Sequence, residues 1–344
     1  MKNLIIQEAG TEVYKFIKQY TDLSNGKALV LSTTTKFNID NQPDNTYRYV
    51  INLKRINDIR RINKFFESVN SKLPDEGIFI DCAETYMLRK QRILKKYPPV
   101  FNYIYYFFDW VFKRLFPKLF FTKKIYFAMT AGRNRVLSKA ETLGRLYSCG
   151  FEVIDEAFLN GHFYFTARKI KDPSFDYNPT YGPIVRLRRI GKHGKIIKVY
   201  KMRTMHAYSE YIQGYVFDKN KLEEGGKFKN DFRVTTVGRI MRKFWIDELP
   251  MIVNILKGDM KIVGVRPLSQ HYFNLYSEEM QEERIKHKPG LIPPFYADMP
   301  RSFEEIEASE KRYLEEYKKH PFRTDFRYFW LAWYNIIFRK ARSK

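Results

Sequence analysis

GRIMRKFWIDELPMIVNILKGDMKIVGVRPLS, residues 238–269, is the stretch on which the reading of this chain turns. Apolar spacing from Met251 through Leu256 predicts a helix, with Pro250 tolerable in its first turn and Gly258 as the stop. Asp247 and Glu248 then sit at the helix N-terminus. There the positive end of the helix favours an ionised carboxylate and offers free backbone N–H groups to a neighbouring phosphate. One acid of such a pair can attack phosphorus while the other binds a cation or manages a proton. An Asp-Glu pair before a helix is far more often a plain N-cap, so the dipeptide alone decides nothing. Its surroundings do. Arg242 and Lys243 precede it within five residues and Lys257-Gly258-Asp259 follows the helix. Gly264-Val265-Arg266-Pro267 comes where an emerging strand would bring a guanidinium near the same end.

Upstream, residues 181–203 read YGPIVRLRRIGKHGKIIKVYKMR, with eight basic residues and no acid. The Gly191-Lys192-His193-Gly194 turn predicts a β-hairpin. Arg186, Arg188, Lys201 and Arg203 could gather around a diphosphate through charge-assisted hydrogen bonds; a solvated basic face is the ordinary alternative. The proline, asparagine and aspartate of residues 170–182 suit a linker. This places a first domain at 1–169 and a second at 183–344.

The first domain reads as mixed α/β. It has an apolar run around Leu29 to Leu31, a helical stretch from Asn57 to Val69, and the turn Pro74-Asp75-Glu76-Gly77 before the strand Ile78-Phe79-Ile80. Ser138 caps a second helix, with Glu141 three residues on in a capping-box pattern. Cys149-Gly150 ends that helix before strand candidates at Phe151 to Ile154 and His162 to Ala167. This alternation, notably LSKAETLGRLYSCGFEVID at 137–155, resembles the C-terminal half of a methyltransferase fold. No Gly-rich strand-to-helix loop precedes it, so the part that would hold a nucleoside cofactor is missing.

Residues 101–121, FNYIYYFFDWVFKRLFPKLFF, carry eleven aromatics interrupted by Asp109, Lys113, Arg114 and Lys118. The longest uncharged run, Tyr97 to Phe108, has twelve residues, against the roughly 18–20 of a spanning helix. The expectation is an in-plane or re-entrant membrane element broken at Pro117, its lysines reaching back to lipid phosphates, with a core helix under the first domain as the alternative. Sixty-two Lys plus Arg against thirty-eight Asp plus Glu leave a net charge of +24, a field that attracts nucleic acid, anionic lipid or phosphorylated substrates. Cys82 and Cys149 form no spaced framework, and the N-terminus lacks a secretory signal, which together suggest the cytoplasm. His193, His206 and His271 show no metal spacing.

The basic hairpin ending KVYKMRTM, then WIDELPMIVNILKGDM, then GVRP resemble, in that order, the three blocks of the bacterial sugar transferase family. These are monotopic phosphoglycosyl transferases that start glycan assembly, such as exopolysaccharide or lipopolysaccharide, on undecaprenyl phosphate. The match runs from about Gly182 to the C-terminus. The fold class this implies is mixed α/β, with a methyltransferase-like partial domain followed by an α+β catalytic domain.

The resemblance makes Asp247 the nucleophile, Glu248 its essential partner, and Arg242 and Arg266 ligands of the substrate phosphates. Lys201, Arg203 and Arg188 join that set. It implies magnesium held by Asp247 and Glu248, a UDP-sugar donor and a polyprenyl phosphate acceptor. It also implies anionic lipid at the cytoplasmic face of the inner membrane, and a possible homodimer. Asp325, in TDFRYFWLAW, falls where the family often has an aspartate, and Lys257 and Asp259 are further possibilities. The chain departs from the family at Val265, where a proline is usual, and in PGLIPPFYADMP, which lacks the usual tryptophan and glutamine. It also departs at 162–182, which is polar where a re-entrant helix is normal, so that 101–121 becomes the candidate replacement. Two readings compete. A nucleic-acid binding protein would show steep salt-dependent binding and indifference to the two acids. A silent scaffold would show no turnover.

Overall fold

The computed structural model describes residues 1–24, 26–175, 182–220 and 231–339. The chain forms two compact units, one of Met1–Gly182 with His206–Tyr215, the other of Pro183–Met205 with Val216–Lys344. Residues 206–215 were expected in the second domain and instead pack within the first unit.

In the first unit the strands are β1 (Ala28–Leu31), β2 (Tyr49–Asn52), β3 (Ile78–Ala83), β4 (Phe151–Leu159) and β5 (His162–Lys169). The sheet runs β1-β2-β3-β5-β4, with β1, β2 and β3 parallel and β5 antiparallel to both neighbours. Asn160 and Gly161 close the β4–β5 hairpin at φ 48° and 75°, a conformation these two residue types tolerate best. Phe65 and Phe66, on the helix Ile62–Lys72, pack with Phe79, Phe151 and Phe165 of the sheet and are almost fully buried. Each such ring stabilises the unit by roughly 2–3 kcal/mol.

The helix starts at Ile62 rather than Asn57 for a visible reason. Asn57 accepts from the Glu84 N–H at 2.7 Å and donates to the carbonyls of Glu84 and Arg135, so its backbone is held in a short 3-10 turn. Ser138 caps the helix Lys139–Ser148 by accepting from the Glu141 N–H at 3.0 Å. The capping box is not completed, because the Glu141 carboxylate turns to Arg145 and Lys118 instead. Gly144 on that helix lies against the Tyr208 carbonyl so closely that a Cβ would stand 2.2 Å from it, and Asn63 donates to the Tyr208 hydroxyl at 3.0 Å. Both cysteines are free and buried.

The aromatic stretch is a helical hairpin longer than expected. It comprises the helix Phe101–Trp110, a π turn at Val111–Leu115, a 3-10 turn at Phe116–Lys118 holding Pro117, and the helix Phe120–Thr130. The expected outward direction of its lysines is corrected for Lys118, and Arg114 behaves like it. Arg114 points inward to His206 Nδ1 at 3.0 Å and Lys118 pairs with buried Glu141, so neither reaches outward. Asp109 accepts two 2.7 Å hydrogen bonds from Arg89. Among the described residues no helix is long and apolar enough to cross a membrane.

In the second unit, β6 (Ile184–Ile190) and β7 (Ile196–Met202) form the expected hairpin, and β8 (Lys261–Val263) runs parallel to β9 (Gly290–Ile292). Gly264 and Gly290 pass so closely that a Cβ on Gly290 would sit 2.1 Å from the Gly264 nitrogen. The core beside them joins Val263, Val265, Tyr296, Tyr313 and Tyr328. The helices Phe303–Lys319 and Pro321–Ile337 complete the unit. The second helix buries Tyr328, Ala332 and Asn335 but leaves Phe322, Phe326, Trp330 and Tyr334 exposed.

Candidate active site

Strand alternation decides which cations of the basic hairpin share a face. Val185 pairs with Lys201, Leu187 with Val199 and Arg189 with Ile197, whereas Arg186 and Arg188 pair with Tyr200 and Lys198. Arg189 and Lys201 therefore lie on one face, and Arg186 and Arg188 on the other, where they are exposed. Asn254 fixes what stands opposite the first face. Fully buried, it accepts from the Tyr200 N–H at 3.0 Å and donates to the Lys198 carbonyl at 2.8 Å. A side-chain amide bridging a strand edge in this way locks the helix Ile252–Leu256 to β7.

That helix is entered through a 3-10 turn, Ile246–Met251, after Trp245 takes a left-handed φ of 62°. Asp247 and Glu248 lie in the first turn, and neither caps it; the residue in the capping position, Trp245, makes no side-chain cap bond. Glu248 accepts from Lys201 Nζ at 2.7 Å. Asp247 is half-buried, and its pKa is raised by burial first and by the adjacent Glu248 second, against the opposing pull of Lys201 and Arg242. Arg242 is placed by the preceding helix, Thr236–Lys243, which docks on Thr204. Thr235 donates from its backbone N–H to the Thr204 carbonyl at 2.9 Å, a Cβ on Gly238 would stand 2.0 Å from the same oxygen, and Arg242 Nε donates to Thr204 Oγ1 at 2.9 Å.

Arg266 leaves the end of β8 with its peptide held from both sides. Glu310, completely buried, accepts from the Arg266 N–H at 3.4 Å, and Arg284, paired with Glu310, donates to the Arg266 carbonyl at 2.5 Å. The Arg266 guanidinium lies 5.5 Å from the Phe295 ring centroid. Lys201, Glu248, Arg189 and Arg266 converge on a cleft of about 180 Å³ with Tyr272 and Phe295 in its wall. The Arg189 pKa is lowered by burial and by the nearby Arg266 charge. Two guanidinium groups in electrostatic contact beside a lysine form a site for a multiply charged anion. The wall includes Glu248 rather than Asp247, which stands one residue back on the same turn.

The family of bacterial sugar transferases matches residues 177–339. Residues 177–339 are thus similar to the bacterial sugar transferases. Relatives include "Galactosyl transferase CpsE" of Streptococcus agalactiae serotype III (strain NEM316), 34% identical over 40% of this chain and 31% of its own length. "Undecaprenyl-phosphate galactose phosphotransferase" of Salmonella typhimurium is 37% identical over 30% of this chain and 23% of its own length. "UDP-glucose:undecaprenyl-phosphate glucose-1-phosphate transferase" of Escherichia coli K12 is 36% identical over 32% and 22% respectively. The match thus spans less than a third of each of these relatives.

Within the second unit, Asp247, Glu248, Lys201 and Arg242 interact electrostatically, and Arg266 shares the cleft with Lys201 and Glu248. The other candidates lie elsewhere. Arg188 faces away with Arg186. Arg203 makes a backbone bond to Pro183 and does not line the cleft. Lys257 donates to the Tyr200 hydroxyl at 3.0 Å, on the face Tyr200 shares with Arg186. Asp259 follows the helix stop, its N–H bound to the Asn254 carbonyl at 3.0 Å. Asp325 is bound by Lys261 and by the Tyr313 hydroxyl at 2.6 Å, a tie between the last helix and the domain core. Sequence reasoning passed over Arg189, Tyr272 and Phe295. For Arg189 the strand register decides: five residues, 191–195, separate Ile190 from its partner Ile196, which puts 189 and 201 on the same face, whereas a four-residue turn at 191–194 would put them on opposite faces. For the two aromatics, which come from segments distant in sequence, no local signal existed.

Among the described residues no cluster of three or more His, Cys, Asp or Glu could hold a metal alone. Asp247 and Glu248 are nonetheless two adjacent carboxylates whose repulsion raises one of them. That donor set suits magnesium, which commonly takes one or two carboxylates and completes its shell with water and substrate phosphate oxygens.

Proposed function

We propose that the transferase domain moves a sugar 1-phosphate from a UDP-sugar to polyprenyl phosphate through a covalent intermediate on Asp247. One observation carries the reading: Glu248, adjacent to Asp247 and salt-bridged at 2.7 Å to Lys201, lines a cleft that also holds Arg189 and Arg266. The printed names of the relatives, which include undecaprenyl-phosphate phosphotransferases, support the same reaction class. At about 180 Å³ the cleft is smaller than the roughly 300–1,000 Å³ of pockets that enclose whole ligands. It therefore takes the diphosphate and leaves nucleoside and sugar to neighbouring surface.

Asp247 Oδ attacks the β-phosphorus; an O–P bond forms, the bond to the bridging oxygen breaks, and UMP leaves with that electron pair. Arg189, Lys201 and Arg266 stabilise the charge that accumulates on the phosphoryl oxygens, and Arg242 holds the Asp247 side of the site. A polyprenyl phosphate oxygen then attacks the same phosphorus and expels the Asp247 carboxylate, giving polyprenyl diphosphate sugar. Magnesium held by Asp247 and Glu248 would shield the phosphates from the attacking carboxylate. Because Asp247 reacts ionised, Glu248 and burial work against it, whereas Lys201 and Arg242 favour the reactive form. The acceptor is a lipid, so the site works at a membrane surface, and the reading places it at the cytoplasmic face among anionic lipids. For the first unit we keep the methyltransferase likeness to architecture, on the order of its strands alone.

The experiment is a trapping one. Enzyme mixed with sugar-labelled UDP-sugar and magnesium, before any lipid is added, is expected to carry label through SDS denaturation and to lose it when polyprenyl phosphate is supplied. Absence of label from enzyme that turns over would overturn the two-step route.

A further inference from the structure

The hairpin 101–130 of the first unit wears its side chains inside out. Three of its charged groups turn inward, Asp109 to Arg89, Arg114 to His206 and Lys118 to Glu141. Its aromatic groups turn outward: Phe107 is 59% exposed, Phe108 64%, Phe120 82% and Phe121 84%. A helix with a spare apolar face normally rolls until that face is covered. Here three polar anchors on the opposite side forbid the roll, because it would strip partners from buried charges. The outward face is thus held out by construction, and it is too contiguous to be scattered surface hydrophobics.

The same residues say what covers it. Phe, Tyr and Trp with few aliphatics suit the head-group boundary better than the hydrocarbon centre. The helices, ten and eleven residues long, rise about 15 Å each, half the hydrocarbon thickness of a bilayer, so they reach into one leaflet at most. Lys95 and Lys96 before the hairpin and Lys123 and Lys124 within it are exposed, and a cationic rim around an aromatic patch complements anionic head groups. We propose that residues 101–130 are the bilayer contact of the first unit, inserted to head-group depth in a membrane containing anionic lipid. The inference stands apart from sugar transfer and would hold if the transferase domain were inactive.

The test uses the full chain with Phe121→Cys carrying an environment-sensitive fluorophore; Cys82 and Cys149 are buried and stay unlabelled in the native protein. Emission is expected to shift to the blue on phosphatidylcholine vesicles containing phosphatidylglycerol, and less on phosphatidylcholine alone. Lys123→Gln and Lys124→Gln should each weaken binding to the anionic vesicles about fivefold. Phe107→Glu with Phe120→Glu should lower partitioning at least about tenfold with the thermal melt unchanged, as both positions are exposed. Vesicle binding without a shift at position 121 would overturn the proposal. So would a shift that follows protein concentration without vesicles, pointing to a second copy, or one produced only by single-stranded oligonucleotide.

Discussion

Charge is handled in opposite ways in the two units. In the first, strong acids are answered: Glu84 takes Arg55, Arg89 and Arg92, Asp109 takes Arg89 twice, and Glu141 takes Arg145 and Lys118. Glu141 is held well below the usual carboxylate range, its burial outweighed by the surrounding cations. In the transferase cleft like charges stand side by side, Asp247 next to Glu248 and Arg189 near Arg266. Closed ion networks hold a fold together, whereas juxtaposed like charges cost stability and persist where a ligand completes them.

Substitutions can break this contrast, the largest effects first. Asp247→Asn should lower turnover by at least about 10⁴-fold, the scale set by loss of a covalent nucleophile, measured as UMP release. In the first unit Arg89→Met should instead cost roughly 3–5 kcal/mol of stability, read by denaturant unfolding, because Glu84 and Asp109 would be left buried and short of a partner. On the hairpin the contrast can be made within one strand. Arg189→Met should reduce kcat/KM about 100-fold, comparable to removing a preorganised charge donor, while Arg188→Met, one residue away on the far face, should change it less than about threefold. Equal losses would dismiss the cleft as the diphosphate site.

The smallest effect sharpens the comparison most. Asp247 has a raised pKa in the folded domain, so its ionisation opposes folding once the pH exceeds its ordinary value, and the cost is absent below that value. Asp247→Asn should therefore raise neutral-pH stability slightly, within about 0.5 kcal/mol, and the gain should vanish on acidification through the carboxylate range. The acid limb of wild-type kcat against pH should accordingly lie above that of an ordinary aspartate. A destabilised Asp247→Asn domain would mean the carboxylate serves the fold.

Much of this was legible from local rules. Pro250 and Gly258 bracket a helix start and stop, Gly191 to Gly194 turn a hairpin, and Ser138 caps a helix, each through interactions only a few residues apart. The transferase blocks were readable in order for the same reason. Local rules failed where a side chain was committed elsewhere. Asn57 is spent on Glu84 and Arg135, Glu141 on Lys118, and Arg114 on His206, across separations no periodicity encodes.

By itself, then, the sequence determined the acid pair on the first turn of its helix, the alternation of the basic hairpin and an aromatic segment too charged to span a bilayer. Only tertiary structure decided that Arg189 rather than Arg188 meets Arg266, that Asp325 ties helix to core, and that the aromatic hairpin faces outward. The reason is physical. Backbone hydrogen bonding repeats over a few residues and leaves a local trace, whereas the pairing of a buried charge depends on which distant group can reach it at least desolvation cost.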